Sequence, residues 1–253
     1  MRLLRARHIR FRHIITALAL LALLALFLTS CETDTPQNTF DARGEVAARQ
    51  RDLFYLAMWP AIAILILVCA VLVIAMLRFR RRSPDELPKQ VHGNTTLELA
   101  WTIAPALLLL VLGVPTVTAI YDLGRDPSPD AFQVNVTGIQ WAWQFEYPEI
   151  LDDNGKAVTT LGELHIPAGR EISLSITAVD VIHSFWVPKL AGKLDAIPGR
   201  DNVMWLKADE PGSFSGQCAE FCGLGHAGMK FTVLAQNQED FQAWANEQRG
   251  GGS

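Results

Sequence analysis

Two long apolar stretches decide how this chain folds: residues 53–77 read LFYLAMWPAIAILILVCAVLVIAML, and residues 99–121 read LAWTIAPALLLLVLGVPTVTAIY. Neither contains a charged residue, and both exceed the roughly 20 residues that a helix needs to cross a bilayer. Pro105 and Pro115 agree with this interpretation because prolines are tolerated in membrane-spanning helices. We therefore predict a transmembrane helical hairpin over residues 53–121.

The segment between the two stretches indicates the orientation of the hairpin. It carries five basic side chains, which are Arg78, Arg80, Arg81, Arg82 and Lys89. Basic residues close to membrane spans stay in the cytoplasm, so both outer ends of the hairpin should lie outside. Everything after Tyr121 is then expected to be extracytoplasmic, with membrane lipid as one partner of the chain.

The N-terminus has the pattern of an export signal. Residues 14–28 are apolar or small and follow five arginines. This basic start and short apolar core predict a signal peptide over residues 1–30, with an extracytoplasmic segment over residues 31–52. The sequence Leu28-Thr29-Ser30-Cys31 resembles the bacterial lipoprotein cleavage box, which implies lipidation of Cys31. The alternative is an uncleaved anchor with an incidental cysteine.

The part of the chain after Tyr121 has the pattern of a β domain. Short alternating runs of apolar and polar residues occur at residues 132–136, 171–177, 203–207 and 231–235. Turns containing Gly or Pro separate them, and this spacing predicts a β-sandwich or barrel of about 120 residues. Residues 240–253 are predicted to form a short C-terminal helix, over residues 240–248, and a disordered tail.

Charge divides the chain in the same place. Residues 1–121 carry a net charge of +5 and residues 122–253 a net charge of −9, which together give the −4 of the whole chain. A strongly acidic domain repels nucleic acid, so no nucleic-acid partner is expected. It attracts a basic protein partner at low salt, although an acidic surface that merely keeps the domain soluble is an equally simple interpretation.

A cluster of soft metal ligands lies within residues 216–229, at Cys-x3-Cys-x3-His-x2-Met spacing. Its members are Cys218, Cys222, His226 and Met229, and four glycines in the same stretch let the backbone bend around them. Thiolate, imidazole and thioether ligands together favour copper over hard cations. Two alternatives are a simple disulfide between the cysteines and a zinc site, although zinc sites do not use Met.

A fifth candidate ligand, His183, lies 35 residues before Cys218 and just after the predicted strand at residues 171–177. A single His beside an apolar run is usually a core residue. One His from a strand combined with a Cys/His/Met loop is, however, how copper sites for electron transfer are built. The second cysteine goes beyond a mononuclear site because two thiolates can bridge two metal ions.

An aromatic run at residues 140–148 is the remaining prominent motif. Aromatic residues in strands usually pack in the core or across strands. Because side chains alternate between faces, Trp141, Trp143 and Phe145 are expected to share one face of a regular strand. One of them exposed at a rim near the metal would offer a docking contact and a short electron route.

These motifs together resemble subunit II of bacterial haem-copper cytochrome c oxidases, which carries the binuclear copper centre called CuA. The resemblance covers about residues 53–234 and rests on residues 98–105, the Trp141 segment, and residues 183–188, 195–200 and 218–229. It implies a membrane protein with a two-helix transmembrane hairpin, followed by an all-β cupredoxin-like sandwich domain over residues 122–239. The location implied is the bacterial cell (inner) membrane, with this domain in the periplasm.

The resemblance also implies a ligand set for two copper ions. Cys218 and Cys222 would bridge both ions, and His183 and His226 would each bind one. The weak axial ligands would be Met229 and the backbone carbonyl of Glu220. The Glu220 side chain would point toward a magnesium ion shared with subunit I. Phe221 and Leu224 are expected to pack around the sulfur atoms and tune the potential.

Further roles are implied for electron and proton movement. Electrons from cytochrome c would enter at Trp141 and pass through CuA to haem in subunit I, where oxygen is reduced to water with proton pumping. Glu98 would lie at the mouth of a proton pathway, although an ordinary interfacial carboxylate is its simplest interpretation. Subunit I, which would carry the haems and a further copper ion called CuB, and subunit III would be partners of the chain.

Docking of cytochrome c is expected to use Glu146 and Asp180. Val179 and Ile139 depart from the family pattern, since an acidic residue and a histidine are common at these positions. Three other functions are compatible with parts of this pattern. These are a quinol oxidase subunit, which has a similar fold without copper; the CuA domain of nitrous oxide reductase, which needs a large propeller domain; and a copper carrier or disulfide-stapled binding module.

Overall fold

The computed structural model describes residues 35–80, 83 and 90–250. The chain divides into two units, residues 1–38 and residues 39–253. Of the first unit only a turn is described, in which the Asn38 N–H donates to the Thr35 carbonyl at 3.1 Å. The predicted signal peptide and Cys31 lie outside the described residues, as do residues 251–253 of the tail and three of the five basic residues of the hairpin loop, Arg81, Arg82 and Lys89.

Two long helices form the hairpin, α1 (Glu45–Arg78, 34 residues) and α2 (Thr95–Leu123, 29 residues). At 1.5 Å per residue they extend about 50 and about 44 Å, which is more than the hydrocarbon core of a bilayer. Both are long and apolar enough to cross a membrane, and almost all of their side chains are exposed in the isolated chain. Lipid or another subunit must therefore cover them.

Helix α1 begins at Glu45, before the apolar stretch at residue 53, because its first turn belongs to the β domain. Val46 and Ala47 are buried, and the Ala47 N–H donates to the Leu190 carbonyl at 3.2 Å. Helix α2 begins after Asn94, whose side chain accepts a hydrogen bond from the Leu97 N–H at 3.2 Å.

Ten strands follow in the described residues. They are β1 (Phe132–Ile139), β2 (Ala142–Leu151), β3 (Ala157–Leu161), β4 (Glu163–Pro167), β5 (Ile172–Ala178), β6 (His183–Trp186), β7 (Lys193–Ala196), β8 (Asn202–Leu206), β9 (Gly212–Cys218) and β10 (Lys230–Gln236). All four predicted runs are confirmed, as β1, β5, β8 and β10. The aromatic run corresponds to β2, and the remaining five strands have no alternating pattern of their own in the sequence analysis.

The strands form two five-stranded sheets, in the orders β3-β2-β1-β5-β8 and β4-β10-β9-β6-β7. The pairs β1–β5 and β4–β10 are parallel and the others are antiparallel. Trp143 of the first sheet packs edge-on against Phe185 and Phe231 of the second, with ring centroids 5.6 and 5.7 Å apart. The two inner faces thus share one core, and the predicted β-sandwich is confirmed.

The aromatic run differs from its predicted arrangement. Trp143, Phe145 and Tyr147 lie on one face of β2 and are fully buried. Trp141 lies in the turn between β1 and β2 and is 43% exposed. The alternation of a strand therefore applies from Ala142 onward, and Trp141 alone reaches the surface.

A C-terminal helix, α3 (Gln238–Gly250), closes one end of the sandwich. It is longer than the predicted residues 240–248 and includes Gly250, the first residue of the predicted tail. Its Phe241 and Ala245 are buried, and its Trp244 stacks on His165 of β4 with centroids 4.2 Å apart.

The outer end of α2 is also fastened to the β domain. Arg125 makes two hydrogen bonds with the Glu171 carboxylate, at 3.1 and 2.6 Å, and lies 4.1 Å from the ring centroid of Trp205. The Trp205 indole N–H donates to the Leu123 carbonyl at 3.2 Å. The membrane hairpin is thus attached to the sandwich at both of its outer ends.

Candidate metal centre

The ligand loop, residues 219–229, joins the antiparallel neighbours β9 and β10. Cys218 is the last residue of β9, and Met229 immediately precedes β10. The Cys218 N–H donates to the Met229 carbonyl at 2.9 Å, and the Ala219 N–H donates to the Ser184 carbonyl at 2.9 Å. These bonds close the base of the loop and fix Cys218 beside β6.

Strand β6 supplies the ligand that is distant in sequence. His183 is its first residue, and Phe185 of β6 is paired with Cys218 of β9. Sheet pairing therefore brings together residues that are 35 positions apart. Gly138 of β1 leaves room for the imidazole, because a Cβ atom at this position would be 2.8 Å from His183 Cδ2.

The two sulfur atoms are close but not bonded. Cys218 Sγ and Cys222 Sγ are 3.7 Å apart, whereas a disulfide bond measures about 2.05 Å. Among the described cysteines, Cys69, Cys218 and Cys222 are all free. The disulfide alternative is therefore not what this structure contains.

Nitrogen, sulfur and oxygen ligands surround this sulfur pair. His183 Nδ1 is 4.0 Å from Cys218 Sγ, and His226 Nδ1 is 3.7 Å from Cys222 Sγ. Met229 Sδ is 3.7 Å from Cys222 Sγ, and the Glu220 carbonyl oxygen is 3.1 Å from Cys218 Sγ. The structure thus brings all six predicted ligands together: His183, Cys218, Glu220, Cys222, His226 and Met229.

Four of the six residues, His183, Cys218, Cys222 and Met229, are buried, and the set is chemically suited to a soft metal ion. His183 and Met229 are fully buried, and the ligand atoms of His183, Cys218 and Cys222 lie within 4.8 Å of one another. Burial, together with the neighbouring Cys218 thiol, raises the pKa of Cys222 to about 11. Without metal the thiol is therefore protonated, and a bound ion would replace the proton. The sulfur-rich donor set fits copper.

Asp180 orients the buried histidine. Its Oδ1 lies 2.9 Å from His183 Nε2, which leaves Nδ1 to face the sulfur atoms. The carboxylate also accepts hydrogen bonds from the backbone N–H groups of Gln140 and Val181, both at 2.7 Å. Burial raises the pKa of Asp180, but the hydrogen bonds from His183, Gln140 and Val181 outweigh it and lower the pKa below its usual value.

The exposed Trp141 is joined directly to the ligand loop. Its Nε1–H donates to the Cys222 carbonyl at 3.1 Å, and Gln140 Nε2 donates to the same oxygen at 2.8 Å. The indole lies against the loop at Gly225, where a Cβ atom would collide with the ring. Gly223 has a positive φ of 117°, which side chains rarely adopt.

The remaining predicted residues lie away from the ligand cluster. Glu98 is in the first turn of α2, where its Oε1 accepts from the Asn94 N–H at 3.3 Å. Glu146 lies in β2 and accepts a hydrogen bond from Asn135 at 3.0 Å. The expected packing of Phe221 and Leu224 around the sulfur atoms is wrong, because they are 75% and 98% exposed.

Sequence reasoning missed two contributions to the centre. The orienting role of Asp180 was not foreseen, although its position three residues before a candidate ligand was a usable signal. The bond from Gln140 to the loop carbonyl had no sequence signal, because it joins side chain and backbone 82 positions apart.

Two family models match the chain. "Cytochrome C oxidase subunit II, transmembrane domain" matches residues 33–119, and "Cytochrome C oxidase subunit II, periplasmic domain" matches residues 155–236.

Relatives that match most of the chain are described as subunit 2 of a cytochrome c oxidase or of a quinol oxidase. Cytochrome c oxidase subunit 2 of Alkalihalophilus pseudofirmus is 40% identical, over 88% of this chain and 66% of the relative. The Bacillus subtilis protein of that description is 36% identical, over 91% and 67%. Quinol oxidase subunit 2 of Bacillus cereus is 33% identical, over 88% and 76%. The chain thus spans about two thirds of the length of the first two relatives.

A solved structure is also similar. The periplasmic domain of subunit II of cytochrome oxidase from Bradyrhizobium japonicum shares 34% identity and a TM-score of 0.44, over 49% of this chain and 96% of that domain.

Proposed function

Because this chain belongs to the cytochrome c oxidase subunit II family, as a two-span membrane subunit of a haem-copper oxidase with an extracytoplasmic C-terminal domain, we propose that it receives electrons from a cytochrome c at a binuclear copper centre. The electrons then pass to haem in subunit I, where oxygen is reduced to water with proton pumping.

The observation that carries this proposal is the pair of sulfur atoms between two imidazoles. Cys218 and Cys222 lie 3.7 Å apart, with His183 Nδ1 beside the first and His226 Nδ1 beside the second. A mononuclear blue-copper site for electron transfer uses one thiolate and two imidazoles. A second thiolate, with each imidazole beside a different sulfur, supports a site for two ions.

The residues that would hold the two copper ions are the six ligands of the cluster. When bound, the ions supply one-electron redox chemistry. The loop and β6 hold the thiolates and imidazoles at fixed positions, which reduces rearrangement between oxidation states. Asp180 keeps His183 oriented, as partners of metal-binding histidines commonly do.

Trp141 is the proposed point at which electrons enter. Its ring is partly exposed, while its N–H is bonded to the backbone of the ligand Cys222. A redox protein that contacts the ring would therefore be one hydrogen bond from the ligand loop. Two docking carboxylates, Glu146 and Asp180, remain part of this proposal, although Asp180 already accepts three hydrogen bonds from its own domain.

Contacts with other subunits complete the proposal. The Glu220 side chain is exposed beside the centre, a suitable position for a magnesium ion shared with subunit I. Glu98 lies at the cytoplasmic end of α2, where a proton pathway of subunit I would begin. Subunits I and III would cover the apolar faces of the hairpin together with lipid.

A quinol is the second candidate donor, because quinol oxidase subunits are among the relatives. Quinol oxidase subunits have a similar fold without copper, as noted in the sequence analysis. This chain has all six of the predicted copper ligands. Metal content therefore separates the two functions.

The test is metal analysis and electron paramagnetic resonance of the full chain purified in its oxidase. We expect three copper ions per oxidase complex, two in this chain and one at CuB in subunit I, and the spectrum of one electron shared by the two ions of this chain. Cys222→Ser should abolish that spectrum. Cys69→Ser, which changes an exposed cysteine in α1, should preserve it. One copper ion per chain, zinc, or a Cys218–Cys222 disulfide in the metallated protein would refute the proposal.

A further inference from the structure

Exposed apolar side chains lie on the segments beside the metal centre, and we call five of them the rim patch. They are Trp141, Val179, Val181, Ile182 and Leu224. Val179 is 64% exposed, although it directly follows β5. Isolated exposed apolar residues are common, but a contiguous group of them marks an interaction site.

Hydrogen bonds hold two segments of the rim patch side by side. The Val179 N–H donates to the Gly138 carbonyl at 3.2 Å, and the Gln140 N–H donates to the Asp180 carboxylate at 2.7 Å. Residues 179–182 are therefore fixed against the turn that carries Trp141.

The third segment adjoins Trp141 on the ligand loop. Leu224 lies between Gly223 and Gly225, and Cβ atoms at both glycines would meet the Trp141 ring. The rim patch is thus continuous from Val179 across Trp141 to Leu224.

Charge is scarce in these segments. Residues 138–141, 179–182 and 220–226 contain no Lys or Arg and only two carboxylates, Asp180 and Glu220. The carboxylate of Asp180 is occupied by three hydrogen bonds from its own domain. The net charge of −9 over residues 122–253 therefore arises mostly from side chains outside the patch.

Building on the proposed function, we propose that the rim patch docks the electron donor through apolar contact. The donor is a redox protein whose exposed cofactor edge is framed by uncharged side chains. A protein seated on Trp141 is in contact with the ring that is bonded to the Cys222 carbonyl, so this surface leads directly to the ligands. Apolar contact is insensitive to salt, whereas pairing of exposed charges is screened by it.

The experiment measures reduction of the copper centre in the purified oxidase by stopped flow. Two reduced soluble c-type cytochromes serve as donors, one with lysines around its haem edge and one with an uncharged haem edge. Salt is raised from about 0.01 M to about 1 M, which shortens the Debye length from about 30 to about 3 Å. We expect the rate of copper reduction by the uncharged donor to change less than about threefold over this range of salt. At high salt it should exceed the rate with the lysine donor.

A charge placed in the rim patch provides the matched comparison. Val179→Asp should lower the rate with the uncharged donor about tenfold. Leu151→Asp changes an apolar residue that is 48% exposed, at the far end of β2, and should have no effect. The small reductant tetramethylphenylenediamine needs no docking surface and should reduce the centre equally in all variants.

Three results would overturn the proposal. The first is a rate with the lysine donor that exceeds the rate with the uncharged donor at low salt and falls more than about tenfold at high salt. This result would show that charge, and not apolar contact, governs docking. Unchanged reduction in Val179→Asp, with altered subunit composition or sedimentation, would assign the patch to another subunit or a second copy. Absence of a reducible copper centre even with tetramethylphenylenediamine would overturn the proposed function as well.

Discussion

The indole N–H of Trp141 donates a hydrogen bond of 3.1 Å to the backbone carbonyl of Cys222. One of these residues is partly exposed and the other is buried. The bond therefore connects the surface of the domain to a proposed copper ligand without any intervening residue. It also fixes the ring on the ligand loop, so that changes in the loop and changes in the ring should have separable effects.

Trp141→Phe should slow reduction by a reduced c-type cytochrome by about tenfold, or about 1.4 kcal/mol of activation free energy. Phenylalanine keeps a ring at the surface but cannot donate to the Cys222 carbonyl. The copper absorption spectrum should stay the same because no ligand changes. The matched control is Trp244→Phe, which alters a tryptophan of α3 that packs on His165. Normal turnover in Trp141→Phe would remove this role from Trp141.

Gly225→Ala should destabilise the folded protein by about 1–3 kcal/mol, because the new methyl group collides with the Trp141 ring. The ring or the loop must move, so the copper spectrum should shift as well. Thermal unfolding and absorption of the same sample measure both effects. Gly228→Ala is the control, because nothing lies within 4 Å of its Cβ position. Equal midpoints for the two variants would contradict the close packing of the ring.

Local spacing explains why most of the centre was predictable from the sequence. Four ligand side chains lie in one short stretch, from Cys218 at the end of β9 to Met229, so their convergence needs only a bend in the chain. His183 required in addition that β6 and β9 be neighbours, which single-strand patterns do not specify. The position of His183 after a predicted strand made it a candidate ligand, and the family resemblance added that it would bind one of two copper ions.

The parts that sequence reasoning missed depend on tertiary contacts. The burial pattern of β9 alternates through Phe214, Gly216 and Cys218, but glycine gives no apolar signal. Gly216 is there because the Phe231 ring covers it and a Cβ atom would collide with that ring. The exposure of Phe221 and Leu224 likewise follows from the path of the loop, which turns its backbone toward Trp141.

Asp180→Ala should weaken copper binding by about 10- to 100-fold, the usual effect of removing the partner of a metal-binding histidine. Without the carboxylate, His183 loses the hydrogen bond that holds its Nδ1 toward the sulfur atoms. Asp180→Asn keeps one acceptor oxygen and should lose less. Competition with a chelator of known copper affinity measures the change. Asp201→Ala removes an exposed carboxylate and should not matter. An unchanged affinity in Asp180→Ala would exclude the orienting role.

Met229→Leu should leave copper bound but raise the reduction potential, since the thioether is lost while both thiolates remain. The side chain is fully buried, and this swap of similar volumes should cost less than about 1.5 kcal/mol of stability. Redox titration of the purified oxidase gives the potential, and metal analysis confirms occupancy. A potential equal to that of the wild type would count against Met229 as a ligand.

Arg125→Gln should lower the free energy of unfolding by about 1 kcal/mol at neutral pH. It should also make that free energy change less as the pH falls. Hydrogen bonds from Arg125, joined by one from the Ser128 N–H and opposed by burial, hold the pKa of Glu171 below its usual value. A carboxyl group of this kind stabilises the fold above its unfolded pKa, and that contribution is lost as the pH falls through the folded pKa. The wild type should therefore lose more stability than Arg125→Gln between about pH 6 and about pH 3, as measured by thermal unfolding in detergent.

Arg249→Gln is the control because Arg249 bonds to Asn246 and not to a carboxylate. Parallel pH profiles for the wild type and Arg125→Gln would show that the bond between Arg125 and Glu171 does not secure the end of α2 to the β domain.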